Sequence, residues 1–321
     1  MPMCYQPPRT GNVSLRLSGA VIMLMALTSM ISNAGAQTAA PLKLNGTLTA
    51  VRIDDPADPA SGGRIAIDGQ AVIVPAPVPI EFPGDTVSVA GLFERAPAAC
   101  RAQGESGLVP GDRCRKPVRS AKDNGRVWTV DADDTPRSPE YDAVPTDTPP
   151  PTTARVVAMR DGAGRLVASK VTLTRADTSV SGAVTFVNPL EGYLRVNGAF
   201  GLDAGGAVLR INDPEARQSV QIGRGCGDEG NCSPDARFRI NAAPPSVRFQ
   251  AGYAACVPSQ MNGACLPELR PVRTYLDANA VIPIVKGDHV TARGGFEVRD
   301  GSRIFWAHTL IVQSSPNSGR P

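Results

Sequence analysis

Polar and apolar residues alternate along most of the chain at the period of a β-strand. Thr47-Leu48-Thr49-Ala50-Val51-Arg52-Ile53 changes character at every second position, and so does Arg64-Ile65-Ala66-Ile67. Side chains of successive strand residues point to opposite faces, so this pattern predicts strands with one buried face. Asp68-Gly69 follows and is a two-residue hairpin signal before Ala71-Val72-Ile73-Val74. Pro83-Gly84-Asp85 predicts a turn into a further strand, Thr86 to Gly91. Nothing after the N-terminal leader shows the 3.6-residue period of an amphipathic helix. The mature chain is expected to be mainly β.

Three landmarks recur in the same order in both halves. Gly46-Thr47-Leu48-Thr49-Ala50-Val51 is echoed by Gly182-Ala183-Val184-Thr185-Phe186-Val187. Gly84-Asp85-Thr86-Val87 is echoed by Gly287-Asp288-His289-Val290. Asp161-Gly162 leads to Leu166–Leu173, as Asp300-Gly301 leads to Phe305–Val312. Matched order points to an internal repeat. Five short antiparallel strands per half suit a small closed barrel of the OB type, because closure removes exposed edges; a β-sandwich is the alternative. The expected organisation is a leader at 1–36, a first barrel unit at 37–178 and a second at 179–321. The first carries a Pro-rich insertion at about 95–153, between its fourth and fifth strands. The second carries a cysteine-containing insertion at about 210–283.

The leader holds Arg9 and Arg16, then an apolar run from Leu17 to Ile31, then Ala34-Gly35-Ala36 before Gln37. Small residues at Ala34 and Ala36 fit signal-peptidase cleavage after Ala36. The run is shorter than the roughly 20 residues that span a bilayer. The chain is therefore expected to be exported, to the periplasm or the medium, with no membrane insertion after cleavage.

Loss of Cys4 with the leader leaves six cysteines in three local pairs: Cys100 with Cys114, Cys226 with Cys232, Cys256 with Cys265. Six cysteines allow 15 connectivities, of which neighbour pairing is the economical one. Zinc requires closer cysteine spacing or clustered histidines, and the chain has only His289 and His308. Structural disulfides are expected, each closing a short loop and contributing about 2–3 kcal/mol.

The G-x-x-x-x-V, G-D-x-V and D-G-x-L patterns at Gly46–Val51, Gly84–Gly91 and Asp161–Val171 resemble bacterial OB-like domains of unknown function in secreted proteins. The second half is similar to secreted, uncharacterised bacterial and fungal proteins. That likeness rests on Leu209–Arg217, on Gly252-Tyr253-Ala254-Ala255-Cys256-Val257-Pro258, on Gly287-Asp288 and on Ala307-His308-Thr309. These resemblances imply fold and compartment and carry no assigned activity.

Charge then narrows the function. With 33 basic and 30 acidic residues there is no electrostatic footprint for nucleic acid, and few aromatics for base stacking. No G-x-S-x-G nucleophile elbow is present, and neither histidine sits in a catalytic motif. Asp54, Asp55 and Asp58, like Asp131, Asp133 and Asp134, lack calcium-loop spacing, and Asp228 with Glu229 reads as a solvent-facing loop tip. No cofactor or metal is expected. Arg303, Trp306 and His308, on the last strand, are the ligand-site candidates, with Trp306 able to stack on a sugar ring. The expected function is an exported, non-enzymatic binding protein for a cell-envelope glycan or a protein partner. The alternative is an extracellular hydrolase with a carboxylate site.

Overall fold

The computed structural model describes residues 40–115, 150–175, 178–226, 231–271, 276–299 and 302–317. The leader, the aspartates at 131–134, Asp228-Glu229 and Asp300-Gly301 lie outside them.

Two five-stranded barrels form the molecule. The first uses β1 (Leu42–Ile53), β2 (Gly63–Ile67), β3 (Gln70–Val74), β6 (Thr152–Arg160) and β7 (Leu166–Arg175). They run in the order β3-β2-β1-β6-β7, and a parallel β3–β7 contact at Ile73 and Val167 closes the ring. The second uses β8 (Thr178–Asn188), β9 (Tyr193–Val196), β10 (Ala207–Ile211), β14 (His289–Arg299) and β15 (Ser302–Val312), closed by parallel β10–β15 pairing. Both rings therefore share one connection order, with the third strand parallel to the fifth. This is OB topology. The alternation in the sequence becomes the inside of each barrel: Leu48, Ile65, Val72, Val156, Val171 and Leu173 in the first, and Val184, Leu194, Leu209, Phe305 and Leu310 in the second.

One clasp is built twice. Asp68 and Asn197 each sit at positive φ, 47° and 60°. Their side chains accept from the backbone N–H of Thr47 and Ala183, at 2.9 and 3.2 Å. The residues before those donors are Gly46 and Gly182, where a Cβ would collide with the clasping side chain. The G-x-x-x-x-V opener thus marks where the first barrel strand receives the turn after the second.

The Gly-Asp landmark behaves differently in the two halves. Gly287-Asp288 launches β14, the fourth barrel strand. Gly84-Asp85 lies instead in the turn of a small hairpin outside the ring, β4 (Ile80–Glu81) and β5 (Thr86–Val87). The stretch expected to be the first unit's fourth strand ends there and runs into a one-turn helix, α1 (Gly91–Glu94). In both halves the chain consequently leaves the barrel after the third strand and returns at the fourth, so the first insertion starts well before Arg95. The second insertion adds β11 (Val247–Phe249), β12 (Ala254–Cys256) and β13 (Val281–Pro283) to the edge of β15.

The three cysteine pairs are bonded as neighbours: Cys100–Cys114, Cys226–Cys232 and Cys256–Cys265. Three disulfides place the chain in an oxidising compartment. No helix among the described residues is long and apolar enough to cross a membrane.

The second insertion reaches across to the first barrel. Phe238 packs into the first barrel's core and meets the Phe82 ring edge-on at 4.9 Å. Beside it Asp235, 2% exposed, accepts Arg237 Nη2 at 2.7 Å and Arg175 Nη2 at 2.9 Å. Arg175 is the last residue of β7. Its other nitrogen donates to Glu297 of β14, and Arg237 donates to the carbonyl of Leu92 in α1. Burial alone would raise the pKa of Asp235, but Arg237, with Arg175, outweighs that and holds it below the ordinary carboxylate range. Breaking a buried ion pair strands its partner charge, which costs about 3–5 kcal/mol. Asp235→Asn is expected to lose that much in equilibrium urea unfolding. A lowered carboxylate pKa stabilises above the unfolded value and stops doing so as pH falls through the folded one. Stability of the wild type should therefore fall below about pH 4, and Asp235→Asn should lack that part of the acid limb.

Candidate functional site

OB barrels meet ligands on the outer face of their second and third strands, flanked by the loop between the fourth and fifth. The two barrels use this face in opposite ways.

In the second barrel it is filled from within. Tyr193, Arg195, Val208 and Arg210 point outward from β9 and β10, yet all are buried. The Cys226–Cys232 disulfide lies over them, forming a small cluster with Tyr193, Val208, Ile304 and Trp306. Arg210 donates to the carbonyls of Glu191, Ile222 and Arg224 at 2.7, 2.8 and 3.0 Å, and its guanidinium lies 5.1 Å from the Tyr193 ring centre. Burial lowers its pKa to about 10 against the opposing pull of Glu191, so it remains a cation at neutral pH. Asp203 accepts from Tyr193 Oη at 2.6 Å and from Arg195. The distinctive Arg210-Ile211-Asn212-Asp213 stretch is thus structural. Asn212 donates to the carbonyls of Asp235 and Phe238, and Asp213 accepts the N–H groups of Gln218 and Ser219.

The three residues nominated from the sequence share β15. Trp306 is 4% exposed and His308 9%, and both line a small cavity of about 20 Å³ with Arg175, Asn212 and Glu297. A space of that size holds about one water molecule. The indole Nε1 has no hydrogen-bond partner among the described residues, and His308 Nδ1 lies 3.1 Å from Thr309 Oγ1. Arg303 places its guanidinium 3.6 Å from the centre of the Phe296 ring. The cavity around Trp306 has no room for a sugar ring.

In the first barrel the same face is open. A groove of about 340 Å³ runs over β2 and β3 to the β6–β7 turn, with Arg64, Arg160 and Arg165 around a floor that includes Ala71, Ile73 and Leu166. The turn is pre-set. Asp161 accepts the N–H groups of Ala163 and Arg165 at 2.9 Å each and pairs with the Arg165 side chain at 2.7 Å. Those bonds, the Arg165 N–H foremost, hold the Asp161 carboxyl below its usual range. Arg160 donates to Gly164 O at 2.7 Å, while Arg64 stands 3.7 Å from Asp54. The groove can offer guanidinium donors to an anionic or hydroxyl-rich ligand. No motif announces these arginines. Their signal is the outward parity of Arg64 and the Asp-Gly turn beside Arg160.

No group of three or more His, Cys, Asp or Glu among the described residues is arranged to hold a metal ion. Asp55 and Asp58 cap their own turns, accepting from Ala57 and Ala60. Comparison with protein-family models, with curated proteins and with solved structures finds no match.

Burial, followed by the bond to Asp203, raises the Tyr193 pKa to about 12. The neutral phenol is the form favoured by folding. Its contribution is complete below the ordinary value near 10 and is lost as pH rises through the folded one. An alkaline titration of tyrosinate absorbance should show one late component near pH 12, absent in Tyr193→Phe.

Proposed function

We propose that the protein is an exported, non-enzymatic binding module that recognises a cell-envelope component or a protein partner through the open groove of its first barrel. The observation that carries this reading is the asymmetry of two equivalent faces. One is occupied by the chain's own disulfide-tied insertion, and the other is left open with three arginines over apolar floor residues. The leader at 1–36 and the three disulfides support export to the periplasm or the medium. The doubled Gly–Asx clasp supports a duplicated barrel, with one copy given to scaffolding and one to recognition. The charged clusters of the second barrel serve packing. Arg210, Arg237 and Arg270 are each buried and hydrogen-bonded to backbone carbonyls or carboxylates.

A ligand that binds only the folded state raises its melting temperature in proportion to RT ln(1 + [L]/Kd). Oxidised protein spanning residues 37–321 should show such a shift with a member of a panel of envelope glycans and peptides. The shift should disappear in Arg64→Ala/Arg165→Ala and persist in Trp306→Phe. A shift that survives the double arginine variant, or that only the tryptophan variant removes, would place recognition elsewhere.

A further inference from the structure

A second surface of the first barrel, separate from the groove, carries unbalanced positive charge. β1, β6 and β7 lie side by side, and their outward residues form two rows. Lys43 is opposite Val157, which is opposite Lys170. Asn45 is opposite Arg155, which is opposite Thr172. Neighbouring strands are about 4.8 Å apart, so the two lysines flank Val157 across about 10 Å. Arg155 is diagonal to both, within reach of long side chains. Lys170 pairs with Glu81 at 2.9 Å. Lys43 and Arg155 have no carboxylate partner among the described residues. A shallow concavity of about 420 Å³ lies over this patch.

Like charges gathered on one sheet face repel, and an external anion relieves that repulsion. The rest of the patch says which kind. Thr172 Oγ1 donates to Glu81 at 3.1 Å, leaving its lone pairs free to accept, and Asn45 is exposed with both amide donors and an acceptor. Glu81 brings a carboxylate to the edge of the site, which opposes densely phosphorylated polymers and accepts hydroxyls. No aromatic side chain lines the patch to stack on bases. Cations for carboxylates, beside acceptors for hydroxyls, suit a sugar chain that bears both. We propose that the outer face of β1, β6 and β7 binds an acidic glycan, its carboxylates held by Lys43, Arg155 and Lys170 and its hydroxyls by Asn45, Thr172 and Glu81.

The test is calorimetric titration of the oxidised protein with an oligogalacturonate, with the neutral galactose oligomer, inorganic phosphate and phosphatidylglycerol vesicles as comparisons. Binding of the uronate is expected to weaken with added salt, and roughly 5-fold for each cation removed, hence roughly 25-fold in Lys43→Gln/Arg155→Gln. These side chains are on the surface, so the variant's melting temperature should match the wild type. Arg64→Ala should bind the uronate as the wild type does. Four results would overturn the proposal: no uronate binding, equal affinity for the neutral oligomer, tighter binding of phosphate or vesicles, or uronate binding that Lys43→Gln/Arg155→Gln leaves intact. Loss in Arg64→Ala alone would assign the glycan to the groove instead.

Discussion

The carboxylate of Asp235, shut away from water between two arginines, is the constraint on which the arrangement of the molecule depends. Removing an ion from water costs several kcal/mol, and only close, well-directed partners offset it. The two partners come from different parts of the chain: Arg175 ends the first barrel, and Arg237 belongs to the same insertion as the aspartate. Arg175 in turn donates to Glu297, on the fourth strand of the second barrel. The Leu92 carbonyl ties in the first insertion as well. No one of these groups can shift without leaving another charge or donor unmatched in a low-dielectric interior. The two barrels and both insertions are therefore one mechanical unit at this point, with Phe82 and Phe238 packed against its arginines.

From that lock follows the unequal use of two equal barrels. The insertion that carries Asp235 also carries the Cys226–Cys232 disulfide, only a few residues earlier. Once Asp235, Arg237 and Phe238 are seated on the first barrel, the chain before them crosses the outer face of β9, β10 and β15. Tyr193, Arg195, Arg210 and Trp306 become interior residues of a second, smaller core. The first barrel has no counterpart laid over its β2–β3 face among the described residues, and its outward arginines remain in solvent. The same topology thus yields a scaffold in one half and an accessible face in the other.

Much of the barrel architecture was legible because it depends on neighbours in sequence. Alternation marks the strands, Asp68-Gly69 supplies a left-handed turn, and the cysteine pairs close short loops. The Gly46 and Gly182 likeness was legible for a local reason too, since only glycine leaves room for the clasping Asp68 or Asn197. What was not legible is non-local. Arg175 meets partners 60 and 122 residues away, and nothing about a lone arginine at a strand end reveals that. The Gly-Asp-x-Val likeness misled for the same reason. Gly84-Asp85-Thr86-Val87 and Gly287-Asp288-His289-Val290 share turn chemistry, but tertiary pairing makes one a hairpin outside the ring and the other a barrel strand. The structure also buries both sides of β15: Phe305 and Ala307 in the barrel, Ile304 and Trp306 beneath the insertion.

Burial also explains why the residues with the most chemical character are the least available. The indole of Trp306 and the imidazole of His308 drew attention as candidate ligand groups, yet both lie in the interior, and so do the guanidiniums of Arg195, Arg210, Arg237 and Arg270. With aromatic residues at only 5% of the chain, large apolar side chains are scarce. Arginine fills part of that role: its stem and planar head pack on rings, as Arg175 does on Phe238 and Arg270 on Phe249, at 4.8 and 4.7 Å. Each buried guanidinium then demands acceptors, and backbone carbonyls at the ends of the insertions supply them. Irregular segments with few ladder partners are held in single conformations by such bonds. The solvent-facing arginines and lysines of the first barrel make their bonds at the surface instead, as Arg165 does with Asp161 and Lys170 with Glu81.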